Sequence, residues 1–74
     1  MENDLSIIKN EIMSMTYGAT NIPISIKDIV DRLPTLSDKT ISESLYELEK
    51  EGFIKRINEI SYHGVKTINM FTLA

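Results

Sequence analysis

At Gly52 the apolar residues of this chain change period, and that switch limits the fold more than any other feature of the sequence. Before it they recur every three or four residues, the spacing that lines one face of a helix. After it they alternate within "FIKRINEI" and "KTINMFTL", the two-residue period of strands, with "SYHG" between them as a turn. Helices followed by a pair of strands make an α+β chain. Its 74 residues hold one such domain, spanning 1–74.

Three helices are predicted ahead of the switch. Leu5, Ile8, Ile12 and Met15 form one apolar stripe, with Asn3 or Asp4 to cap its start and Tyr17-Gly18 to end it. Tyr17 and Met13 are expected to pack against this helix. Ile22, Ile24 and Ile26 alternate, which predicts a short extended piece. Ser25 and Asp28 then match the S-x-x-D capping box, and Ile24 with Ile29 can form the accompanying apolar staple. Ile26, Ile29, Val30 and Leu33 supply the buried side of this second helix, and Pro34 forbids its continuation past Leu33. The start signal recurs at Ser37, with Leu36 before it and Ile41 inside the third helix, whose stripe is Ile41, Leu45 and Leu48. Gly52 stands where a left-handed residue closes a helix, and Phe53 can fold back on Leu48. Two helices that start alike on either side of a short turn read as a helix-turn-helix.

Bulk properties remove several function classes. A chain this short buries only about 60% of the surface its unfolded form exposes, which leaves little material for a catalytic cleft. There is no cysteine and one histidine, so neither a disulfide nor a His/Cys metal site is available. No nucleophile–base set or phosphate-cradling glycine loop is present, so no enzyme and no cofactor is expected. No apolar run approaches the roughly 20 residues of a membrane span, and "MENDLSIIKNEI" lacks the plan of a signal peptide. The absence of cysteine suits a reducing cytoplasm. A net charge of −3 argues against coating nucleic acid by bulk attraction, so any DNA binding must come from local patches.

"SDKTISESLYELEKEGFIKRI", followed by a glycine-tipped hairpin, resembles the winged helix-turn-helix superfamily. The likeness runs from about Ile8 to Leu73, and its most telling piece is "LYELEKEGFIKR". It implies three helices with a C-terminal antiparallel β-hairpin, the wing. Within the superfamily, the size and layout are similar to small bacterial transcriptional regulators of the fimbrial-operon type. Tyr46 matches a position of Z-DNA-binding winged helices. However, Ser42 and Glu43 stand where that group has asparagine and a basic residue, and the hairpin lacks its Pro-Pro-Trp feature.

The resemblance implies that the first half of the third helix enters a major groove while the wing holds phosphates. Carried onto this chain, the helix contacts are Lys39, Thr40, Ser42, Glu43 and Tyr46, which the helical spacing places off the buried stripe and therefore exposed. Lys39 suits a phosphate or guanine, Thr40 and Ser42 are small donors and acceptors, and Glu43 suits only a cytosine amino group. In the wing the candidates are Lys55, Arg56, Tyr62, His63 and Lys66. The bland alternatives are a solvated helix face and strand cations that oppose edge aggregation. Glu47, Glu49 and Glu51 fall in the half of the helix that tilts away from the duplex.

The expected function is a sequence-specific DNA-binding transcriptional regulator acting on double-stranded DNA. With three or four phosphate contacts the salt slope would be only about −3, so a homodimer or a helper protein is expected as well. Ile7 and Met13, or the outward face of the last strand, are the surfaces for that partner. The rival expectation, favoured by the negative charge and by Glu43, is a winged-helix module that binds protein rather than DNA.

Overall fold

In the computed structural model, which describes residues 2–74 with side chains from Asp4 onward, the change of period becomes a helix stop. The elements are α1 (Glu2–Thr16), β1 (Ile24–Ser25), α2 (Ile26–Arg32), α3 (Asp38–Lys50), β2 (Ile54–Tyr62) and β3 (Val65–Leu73). At the end of α3, Gly52 has φ +81°. Its N–H donates to the Glu49 carbonyl at 3.0 Å and the Phe53 N–H to the Leu48 carbonyl at 2.9 Å. Those two bonds are the Schellman arrangement, and they turn the chain from α3 into β2.

The helix starts behave as their residues dictate. Ser25 accepts from the Asp28 N–H while the Asp28 carboxylate accepts from the Ser25 N–H, which completes the capping box of α2. Ser37 accepts from the Thr40 N–H and caps α3. Leu33 closes α2 immediately before Pro34. By contrast, α1 is already helical at Glu2, so it starts ahead of Asn3 and Asp4; the Asn3 side chain lies outside the described residues.

Every element contributes to one apolar core. Ile8 and Ile12 come from α1, Ile24 from β1, Ile26 and Ile29 from α2, and Ile41, Leu45 and Leu48 from α3. Ile54 comes from β2, and Ile68, Phe71 and Leu73 from β3. Burying each aliphatic side chain is worth roughly 2 kcal/mol, so the stripe of α3 is what anchors that helix. Leu5, Met15, Val30 and Leu33 close the rim as partly buried neighbours.

The sheet differs from a simple hairpin. β1 pairs antiparallel with β3 (Ile24 with Phe71, Ser25 with Met70), giving a three-stranded antiparallel sheet of order β1-β3-β2. The last strand is therefore central, with Thr67, Ile68, Phe71 and Leu73 buried and Val65 and Met70 half-buried. The exposed apolar residues of the sheet are Ile57 and Ile60, on edge strand β2. The register breaks where Arg56 pairs with Phe71 but Asn58 with Met70, leaving Ile57 unpaired, and recovers by Glu59–Ile68. A kinked edge carrying Lys55, Arg56 and Glu59 resists pairing with another strand. The turn is tighter than "SYHG": Tyr62 pairs with Val65, and only His63 (φ +51°) and Gly64 (φ +82°) lie between, both left-handed as a two-residue hairpin turn demands.

Candidate nucleic-acid interface

α3 lies along the hairpin, and four polar contacts mark the seam. From the start of the helix, Asp38 meets His63 (Oδ2 to Nδ1, 2.7 Å) and the Ser42 hydroxyl donates to the Lys66 carbonyl at 3.4 Å. Further along, the Tyr46 hydroxyl donates to Glu59, and Arg56 donates two bonds to Glu49 at 2.8 and 2.9 Å. Residues 38, 42, 46 and 49 recur at helical spacing and so share one flank of α3. Their partners run from the hairpin tip to its base. The first turn of α3 and the tip consequently lie side by side.

The seam redistributes the residues expected to contact DNA. Lys39 and Glu43 are exposed on α3, and Thr40 is half-buried. Ser42 is a correction: it is only 3% exposed, because the hairpin covers the flank of α3 on which it lies, so it cannot present a hydroxyl to a base. Tyr46 is half-buried, its ring against the core and its hydroxyl held by Glu59. At the tip, half-buried Tyr62 stacks on exposed His63 with ring centroids 4.2 Å apart, and Lys66 is exposed close by in sequence. Lys55 pairs with Thr72 at the base of the hairpin, six residues along the strand from the Ser61–Lys66 pair. That separation is about 20 Å, so the basic residues of the hairpin do not form a single edge. Tyr17 also departs from expectation. Left-handed at φ +53° just past α1, it swings away from the helix and is 93% exposed.

Charge at the seam is largely compensated. Arg56 bridges Glu49 at 2.8 Å and Glu59 at 2.8 Å, and its guanidinium lies over the Tyr46 ring. Arg56 and Glu59 are three residues apart, which in a regular strand would aim them at opposite faces. The broken register between them is where they escape that rule. The Glu59 carboxyl is held below its ordinary pKa, first by the Tyr46 hydrogen bond and then by Arg56 and Lys66 nearby. The Tyr46 phenol is pushed up, chiefly because its proton is shared with Glu59 and partly by burial. Among the described residues, Lys27, Lys39, Lys50, Lys55 and Lys66 have no ion-pair partner. Of these, Lys39 and Lys66 flank the junction of the α3 start and the hairpin tip.

Sequence reasoning identified the two elements but missed the acids between them. Glu49 reads as a residue tilted away from any ligand, and nothing in a linear pattern links it to Arg56. Tyr46 and Glu49 do sit three apart on α3, which is the one signal that they share a flank. Among the described residues there is no metal-binding cluster and no helix long and apolar enough to cross a membrane. No protein-family model, curated protein or solved structure matches this chain.

Proposed function

We propose that the chain is a winged helix-turn-helix regulator that binds double-stranded DNA, with the leading turn of α3 in the major groove and the hairpin tip on the adjoining backbone. The observation that carries this reading is the contact between His63 and Asp38, which brings the tip and the start of α3 to one surface. Lys39 and Lys66 supply the phosphate contacts, while Thr40 and Glu43 face base edges. The acidic Glu49 is spent on Arg56 within the protein and does not face the duplex. With about two phosphate contacts the salt slope is about −2, so one copy binds weakly and specificity requires a second copy or a helper.

The test is selection of bound sequences from random duplex, followed by fluorescence anisotropy against salt concentration. The Lys39→Ala, Lys66→Ala double variant is expected to flatten the salt slope by about 2 while leaving the circular dichroism spectrum unchanged. A folded protein that shows no salt-sensitive binding to any duplex overturns the reading. A second reading, a protein-docking module, is favoured by the pairing of Arg56 with Glu49 and Glu59 and of His63 with Asp38, which occupies two of the expected phosphate ligands. It gains from the same negative result.

A further inference from the structure

On the flank of α3 away from the hairpin, the helix and the start of α1 enclose an open cleft of about 490 Å³. Asp4 and Leu5 form one wall, and Glu43, Ser44, Glu47 and Glu51 the other. Glu43, Glu47 and Glu51 follow one another at four-residue spacing, where like charges on a helix repel. Lys9 bridges Glu51 at 3.4 Å. Asp4, Glu43 and Glu47 have no cationic partner among the described residues.

A second observation singles out this cleft from an ordinary acidic surface. Ser44 is only 9% exposed and lines it, yet its hydroxyl makes no hydrogen bond among the described residues. Nor is that hydroxyl sealed in the core, where an orphaned group would be costly; no such atom occurs among the described residues. It is therefore reachable by solvent at the cleft that Ser44 lines, with no partner within the protein. Leu5 adds an apolar wall beside it.

We propose that this cleft docks a lysine- or arginine-bearing segment of a partner protein. The cation lies between Asp4 and the Glu43–Glu47 pair and relieves their repulsion, the Ser44 hydroxyl bonds a polar group of the incoming chain, and an apolar neighbour packs on Leu5. A phosphate backbone would be repelled by the same three carboxylates, so the occupant is a cationic polypeptide and not nucleic acid. The inference does not rest on the DNA reading, but Glu43 serves both and Thr40 also lines the cleft, so this segment and a duplex would compete for the start of α3.

The experiment is an NMR titration of the isotope-labelled full chain, without DNA, using a synthetic peptide that carries lysine and leucine at helical spacing. Amide resonances of Asp4, Leu5 and residues 43–51 are expected to shift, with a salt-sensitive affinity. The isosteric Glu43→Gln, Glu47→Gln double variant should weaken binding about fivefold, Ser44→Ala should weaken it further, and Asp31→Asn on α2 should leave it unchanged. Equal loss from Asp31→Asn, shifts scattered over the surface, or equal binding of a peptide with glutamine in place of lysine overturns the proposal. Concentration-dependent shifts of the same resonances without peptide also overturn it, because they assign the cleft to a second copy.

Discussion

His63 Nδ1 lies 2.7 Å from Asp38 Oδ2, so the tip of the hairpin is tied to the first turn of α3 by side chains 25 positions apart. Asp38 also sits where an acidic side chain favours the helix dipole. The tie orients the tip rather than holding the fold together, since His63 is well exposed and solvated pairs contribute little. Asp38→Ala is therefore expected to leave the thermal midpoint nearly unchanged and to speed amide hydrogen exchange at residues 61–66. Unaltered exchange there would show that the turn alone sets the position of the tip.

Tyr46 and Glu59 make the stability of the seam depend on pH in two directions. Glu59 titrates below its ordinary value in the folded chain, so its contribution is present above the usual carboxylate range, about 4.3, and is lost as pH falls through the lower folded value. Tyr46 titrates above its ordinary value, so its contribution is complete below about pH 10 and is lost as pH rises through the higher folded value. Tyr46→Phe should lower the urea midpoint by about 0.5 M between those limits. The gap to the parent protein should close in strong acid and in strong base. A gap that is constant across the whole pH range excludes the hydrogen bond as its source.

Ser42 separates a structural role from a contact role. Ser42→Ala should cost about 1 kcal/mol or less, because its bond to the Lys66 carbonyl is long at 3.4 Å. Ser42→Glu buries a charge under the hairpin and should cost about 3 kcal/mol in chemical denaturation. Lys39→Ala, on exposed helix, should change stability by less than about 0.5 kcal/mol. If Ser42→Glu proves as stable as the parent, the hairpin does not cover that flank in solution.

Gly52 tests the helix stop. No atom lies within 4 Å of a Cβ built there, so a side chain meets no obstacle and only the backbone conformation, φ +81°, is unfavourable. Gly52→Ala should cost about 1 kcal/mol and Gly52→Asn less, since asparagine tolerates the left-handed region. Equal costs for the two, read from urea melts, would point away from backbone conformation.

Much of the architecture is written locally. The caps at Ser25 and Ser37, the stop at Gly52 and the stripe Ile41–Leu45–Leu48 each need only neighbours a few residues away, and each appears in the structure where the residues demand it. The errors have two sources, a distant element in one place and a local backbone turn in the other. Ser42 adjoins the buried stripe of α3, and only the hairpin packed on that flank decides that it is enclosed. Tyr17 lies one residue past the last turn of α1, and its left-handed backbone sends it into solvent.

The chain by itself determined the order of helices and strands and the identity of most of the core, because capping, stop signals and apolar period act over a few residues. Only the tertiary structure decided that β1 joins β3, that Arg56 is already neutralised by Glu49 and Glu59, and that Lys39 and Lys66 flank the same junction. The reason is physical: which charges cancel and which remain available depends on distances of a few ångströms between residues remote in sequence, and no local pattern records those distances.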